Sequence, residues 1–193
     1  MIKLKIILSS VREGRFGDKP AVWMLAHAKK LEGVDVEILD LKEYPMPFFN
    51  DPVSPGMLKT PYTDVVVAKW TQKIAEADAF IIVTPEYNHG YPASLKNAMD
   101  WVYKEWNKKP VAYVGYGGVG GARSIAQICE VAMELQLVSI RHTVNITFDY
   151  MMKAFADATI DPVELLKPLD PKADALLEQV VWWGNALKKA REA

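Results

Sequence analysis

Residues 78–101 read DAFIIVTPEYNHGYPASLKNAMDW. The stretch opens as an apolar run, breaks at a turn dense in proline and polar residues, and resumes at Pro92 with helical spacing. An unbroken apolar run of this length suits a strand buried on both faces, as in a parallel sheet. Proline is tolerated in the first turn of a helix, where its missing N–H has no partner to lose. Strand, turn, helix is half of a βαβ crossover.

Working outward, the unit recurs. KLKIILSS (3–10) reads as a first strand, VREGRFGDKP (11–20) as a polar loop, and AVWMLAHAKKLEG (21–33) as a helix with Gly33 at its C-terminal cap. VDVEILDL (34–41) alternates as a second strand. Residues 42–61 carry five prolines (Pro45, Pro47, Pro52, Pro55, Pro61) and no period, so they read as a long loop. Helices are expected over 62–77, with Thr63 or a neighbour as N-cap, and over 92–106. KPVAYVGY (109–116) is a fourth strand, followed by a glycine turn and a helix to Gln136. LVSIRHTVNI (137–146) is a fifth strand open to interruption, 147–171 is irregular, and 172–193 is an amphipathic helix. Five alternating units in one domain, residues 1–193, predict an α/β, flavodoxin-like fold. It is a three-layer, doubly wound, five-stranded parallel sheet of order 2-1-3-4-5. Ligands then sit beyond the strand C-termini, where three loops emerge: Ser9–Asp18, Thr84–Tyr91 and Gly115–Gly121.

Composition narrows the function. The 193 residues are 50% hydrophobic with a formal net charge of -1. Nucleic-acid partners usually demand a strongly basic face, so none is expected. No apolar segment is long enough to cross a bilayer. One cysteine excludes an internal disulfide and suits a reducing compartment, the cytoplasm. Cys129 falls in a helix and reads as core. His27, His89 and His142 are scattered without metal-ligand spacing, so no metal is expected.

The first loop offers hydroxyls at Ser9 and Ser10, cations at Arg12 and Arg15, and flexible backbone at Gly14 and Gly17, just before a helix. Helix N-termini attract anions, and arginine adds forked hydrogen bonding to phosphate. The plain alternative is a solvated loop with two surface arginines. The third loop contains Gly115, Gly117 and Gly120 in a G-x-G-x-x-G pattern. It lies on the fourth strand, where the dinucleotide fingerprint does not belong. Its glycines are read as a flat wall for a planar ring, with simple turn chemistry as the alternative. In the second loop, Pro85 and Pro92 stiffen a turn whose Glu86, Tyr87 and Asn88 expose N–H groups able to read a ring edge. A phosphate grip, a ring edge and a flat wall together describe a flavin mononucleotide site.

SSVREGRFGDKPAVW, TPEYNHGYPASLKNAMDW and YGGVGGARS resemble the NADPH-dependent FMN reductase family, which includes flavodoxin-like quinone, azo-dye and chromate reductases. The resemblance runs from the first strand to about Ile146. It implies that FMN phosphate binds at Ser10, Arg12, Arg15 and Gly17, with Phe16 alongside. It implies that Pro85, Glu86, Tyr87 and Asn88 hold the isoalloxazine edge, and that Tyr116, Gly117 and Gly118 form the opposite wall. Many relatives carry serine and asparagine where this chain has Arg15 and Gly17. NADPH or NADH would donate hydride to flavin N5, and a quinone, azo compound, metal oxyanion or flavin would then take its place in a ping-pong cycle. The flavin carries the chemistry, so no side chain is expected to be catalytic and Glu86 is positional. His89 reads as an ordinary loop histidine. The alternatives are a flavodoxin-type electron carrier and a regulatory protein with a decayed site. Carriers of that type are strongly acidic, which this chain is not. A homodimer or homotetramer is expected, with Trp101, Tyr103 and Trp106 contributing in part to a subunit face. Trp183 should be core and Trp182 a candidate for an interface or loop contact.

Overall fold

A computed structural model describes all residues, 1–193. Five parallel strands form one sheet: β1 (Ile2–Leu8), β2 (Val34–Asp40), β3 (Ala79–Pro85), β4 (Pro110–Tyr116) and β5 (Val138–Ile146). Their order is β2-β1-β3-β4-β5, as the alternating pattern predicts. Every residue of β3 and β4 is buried, which is why both read as unbroken apolar runs.

Helices cover both faces. On one side lie α1 (Asp18–Ala28), α5 (Phe148–Ala156), α6 (Pro162–Leu166) and α7 (Asp170–Glu192). On the other lie α2 (Val65–Glu76), α3 (Ala93–Asp100) and α4 (Ala122–Glu134). The two apolar cores contain 26 and 23 buried residues, so neither face of the sheet is left to water.

The cap of α2 is Asp64, the neighbour of Thr63, as the expected range allows: its carboxylate accepts from the amides of Val66 and Val67 at 2.8 and 3.0 Å. Other expectations change. The segment expected to be irregular holds α5 and α6. Asp161 caps α6 by accepting from Val163 and Glu164, with Pro162 in the first turn. Helix α3 stops at Asp100, well short of Trp106. β5 runs through, but Val111 pairs with Ser139 while Tyr113 pairs with Thr143, so Ile140–His142 bulge outward. The His142 amide turns to the side-chain oxygen of Gln179 on α7, at 3.0 Å.

The aromatics of 101–106 face inward, against the expected subunit role. Trp106 is fully buried, its ring 4.7 Å from Phe80. Trp101 is buried between Phe49 and Tyr62, and its indole N–H donates to the Pro47 carbonyl at 2.8 Å. Asn97 completes this anchor by accepting from the Phe49 amide at 2.8 Å and donating to Pro47. These side chains pin the proline-rich loop to the domain, which is why a helix carrying them looks over-supplied with apolar surface. Tyr103 is half-buried in the same core, as is Cys129. Trp183 is only half-buried, and Trp182 is exposed.

Candidate active site

The three loops converge at the C-terminal ends of β1, β3 and β4. A cleft of about 250 Å³ opens between them. Arg12, Arg15 and Phe16 line one side, Pro85, Glu86 and Tyr87 a second, and Tyr116, Gly117 and Gly118 a third. Helix α5 adds Phe148, Met151 and Phe155. Ser10 and Gly17 lie behind this lining, against Tyr87 and Tyr116, whereas Asn88 follows Tyr87 as an exposed turn residue outside it. Larger hollows of about 490 and 480 Å³ exist under the proline-rich loop and beside Val11. The smaller cleft is the one at the strand C-termini, where doubly wound sheets hold ligands.

The first loop is built from the sheet upward. The amide and hydroxyl of Ser9 both donate to the Val83 carbonyl, at 3.1 and 2.8 Å, so the loop leaves β1 clamped to β3. Ser10 is buried, sharing a 2.7 Å hydrogen bond with the Tyr87 hydroxyl and accepting from the Arg12 amide at 3.3 Å. Its hydroxyl therefore ties two loops together. Beyond it, the amides of Glu13, Gly14, Phe16 and Gly17 donate to no protein acceptor. They lead into the N-terminus of α1, which has no side-chain cap. Free amides at a helix start form an anion cradle.

Tyr116 lies beneath this cradle. Its hydroxyl is buried and without a partner, and burial holds the phenol above its ordinary pKa, so it stays protonated. A Cβ on Gly17 would stand 2.7 Å from that hydroxyl and 2.9 Å from Leu8 Cδ1. Only glycine lets the helix start approach this closely.

The two arginines differ. The Arg12 side chain is exposed and makes no hydrogen bond. The Arg15 side chain is 5% exposed and turned inward. Its Nη1 donates to Asp40 at 2.7 Å and to the Ser10 carbonyl, its Nε to Asp18 at 3.1 Å, and its Nη2 to Asp18 at 2.7 Å and to Asp40. Burial pushes the Asp40 carboxyl up, but the hydrogen bonds and charge of Arg15 outweigh it and hold that carboxyl below its usual range. Arg15 thus fastens the loop to the end of β2 and neutralises Asp18, whose charge would otherwise sit in the first turn of α1.

The second loop is a two-residue hairpin. Tyr87 and Gly90 exchange amide–carbonyl bonds of 2.8 and 3.0 Å across Asn88 (φ 50°) and His89 (φ 67°). Positive φ at both central positions marks a type I′ turn, which asparagine tolerates. The Glu86 amide donates to the Tyr116 carbonyl at 3.0 Å. Of the three amides expected to be free, only that of Asn88 lacks a protein acceptor. The Glu86 carboxylate, 5% exposed, accepts from the Arg123 amide and Nε at 3.2 and 2.6 Å. Desolvation raises this carboxyl, and Arg123 more than reverses the effect, holding it ionised. Arg123 was not legible as a partner: it lies one residue into α4, and nothing in its local sequence points to β3.

In the third loop Gly117 and Gly118 face the cleft, with open space at Gly118. Gly115 has a different role, since a Cβ there would lie 2.6 Å from the Gly120 carbonyl. His, Cys, Asp and Glu form no group able to hold a metal ion, and no helix is long and apolar enough to cross a membrane.

These residues fit a mononucleotide: amides and Arg12 for a phosphate at one end, glycine backbone against a planar ring at the other. When bound, FMN would supply the capacity to accept and return a hydride. Comparison with known proteins points the same way. A family model described as NADPH-dependent FMN reductase matches residues 2–150. An NAD(P)H-dependent FMN reductase of Schizosaccharomyces pombe is 35% identical over 161 residues, covering 82% of this chain and 80% of that protein. An NAD(P)H:quinone oxidoreductase of Solanum tuberosum is 31% identical over 142 residues, covering 71% and 70%. Among solved structures, a flavoenzyme NAD(P)H:(acceptor) oxidoreductase of Paracoccus denitrificans superposes with a TM-score of 0.69 at 22% identity, covering 98% of each chain, which shows the shared fold. With a family model spanning most of its length and its three site loops gathered in one cleft, the chain belongs to the NADPH-dependent FMN reductase family of oxidoreductases.

Proposed function

We propose that this protein carries reducing equivalents from NADPH or NADH through FMN to a quinone, azo, metal-oxyanion or flavin acceptor, donor and acceptor using one cleft in turn. The supporting observation is the first loop. Free amides of Glu13, Gly14, Phe16 and Gly17 and the exposed Arg12 make a phosphate-sized donor set at one end of a cleft whose other end is glycine backbone. In this reading Arg12 and the amides bind the phosphate, and Ser10, Arg15, Phe16 and Gly17 shape the cradle. Pro85, Glu86, Tyr87 and Asn88 hold the ring edge, and Tyr116, Gly117 and Gly118 back the ring. Glu86 is held ionised by Arg123 and positions the turn. All 193 residues act as one domain in the cytoplasm, without a nucleic-acid partner.

A homodimer or homotetramer stays part of the proposal on new grounds. Trp101 and Trp106 are internal, whereas Phe48 is 79% and Met57 75% exposed on the loop beside the site.

Titration of the apo-protein with FMN, followed by steady-state NADPH oxidation with and without a quinone, tests the reading. Tight FMN binding with quinone-dependent turnover is expected. FMN binding without turnover would make the protein an electron carrier, and no FMN binding would overturn the proposal.

A further inference from the structure

Helix α5 closes the cleft with an apolar face that the sequence motifs do not contain. Phe148, Met151 and Phe155 lie three and four residues apart on one side of the helix and all line the cleft. Met151 and Phe155 fall beyond residue 150, where the family match ends. The adjoining face anchors the helix: Ala154 is buried, and Tyr150 and Met151 are half-buried against the core shared with α1 and α7. Phe148 and Phe155 nonetheless remain 50% and 57% exposed at the cleft mouth. Large aromatic rings held half in water beside a site have surface left to give to a ligand.

The helix is positioned against the phosphate end of the site. Lys19, in the first turn of α1, donates to the carbonyls of Ala158 and Ile160 at 3.1 and 2.9 Å, just after α5. The aromatic wall and the amide cradle are thereby fastened to one another through α1. Charge at the mouth is sparse. Arg15 is paired with Asp18 and Asp40, and Glu86 with Arg123, leaving Arg12 as the cleft-lining cation without an ion pair.

We propose that Phe148 and Phe155, backed by Met151, select the electron acceptor, favouring flat, uncharged two-ring quinones over small hydrophilic acceptors such as metal oxyanions. The inference rests on the FMN-dependent reductase reading and names the acceptor class for that site. The overall reaction balances as NAD(P)H, a proton and quinone giving NAD(P)⁺ and hydroquinone, two electrons passing to the quinone. The rings stack on the acceptor's outer surface and exclude water from it, a contribution that an oxyanion cannot use.

The test uses the full chain and the Phe148→Ser/Phe155→Ser double variant. Both side chains are half in water, so their loss opens no buried cavity. First, apo-proteins are titrated with FMN by fluorescence. Second, the oxidised, FMN-loaded proteins are titrated with 2-methyl-1,4-naphthoquinone without nicotinamide, read as perturbation of flavin absorbance. Third, kcat/KM is compared for that quinone and chromate.

The double variant is expected to bind the naphthoquinone about tenfold more weakly, a loss of the size that aromatic stacking supplies. The ratio of kcat/KM for quinone over chromate should fall by a similar factor, while FMN affinity stays within about threefold of the parent, because the phosphate grip lies elsewhere. Phe155→Trp should retain quinone affinity. A parent that binds no FMN would overturn the functional reading and this inference with it. A parent that binds FMN, with a variant of unchanged quinone affinity and selectivity, would overturn this inference alone. An equal loss of FMN and quinone affinity would also overturn it, assigning the rings to the flavin.

Discussion

Replacing Arg15 with alanine should damage the fold more than the ligand contact. The side chain has no donor free for a phosphate, because every guanidinium nitrogen is engaged by Asp18, Asp40 or the Ser10 carbonyl. Removing it leaves Asp40, whose side chain is 21% exposed, without its counter-charge. Breaking a fully buried pair costs about 3–5 kcal/mol. Water reaches part of Asp40, and the more exposed Asp18 adds little, so about 2 kcal/mol is expected here. For a chain of this size that corresponds to a fall of roughly 4–8 °C in Tm. Arg12→Ala should behave oppositely: no change in apo-protein melting, but an FMN affinity lowered about tenfold or more by loss of a charge-assisted hydrogen bond. Thermal unfolding of both apo-variants, with FMN titration at a temperature where both are folded, separates the roles. An Arg15→Ala protein that melts like the parent yet binds FMN far more weakly would refute the structural role and restore this arginine as a direct phosphate ligand.

Gly17→Ala should lower stability by about 1–3 kcal/mol, since its Cβ would collide with the Tyr116 hydroxyl and Leu8. Pairing it with Tyr116→Phe should recover part of that loss in a denaturant melt, and no recovery would mean the contact is not limiting. Asp78 accepts from the Lys3 amide, Lys188 and Arg191; these outweigh desolvation and hold its carboxyl below the ordinary 3.8. A depressed carboxyl stabilises the fold above its unfolded pKa and loses that effect as pH falls through the folded value. The stability advantage of the parent over Asp78→Asn should therefore be full at pH 7 and shrink below about pH 4; a gap that stays constant on acidification would contradict the assignment. Asn88→Gly keeps the positive-φ turn available, so it should melt like the parent. If the turn holds the flavin, its FMN-loaded form should be reduced more slowly by NADPH in stopped flow, and an unchanged rate would leave the turn a purely local device. The pigment released on heating should run as FMN in chromatography, with mainly FAD as the opposing result.

What the sequence shows and hides follows from the range of the interactions. β3 and β4 announce themselves because burial on both faces leaves no polar residue to break the run. The loops announce themselves because anion cradles and tight turns need particular residues close together in the chain. The inward turn of Arg15 is different. Its partner Asp40 is the last residue of β2, and the two meet only because Leu8 pairs with Asp40 across the sheet. Likewise Trp101 and Trp106 look outward on a continuous helix, whereas the helix ends at Asp100 and the proline-rich loop folds back over them. Helix α5 is hidden in the sequence because it is short and its apolar stripe faces a cleft partly made by other segments. Periodicity alone cannot tell such a stripe from loop residues.

The bulge in β5 has a bearing on how this protein meets other molecules. β5 is an outer strand of the sheet, and an outer strand normally offers a ladder on which another strand can grow. Here Ile140–His142 depart from the regular rise, the His142 amide is taken by Gln179, and Arg141 and His142 stand exposed along the rim. An incoming strand would find the ladder out of step, an amide already engaged and two side chains in its way. Growth of the sheet through this margin is therefore hindered, whatever the other outer strand, β2, allows. At high concentration the native fold should accordingly resist templated fibre formation from this rim, and Gln179→Ala, by freeing the His142 amide, is the smallest change that would weaken that protection.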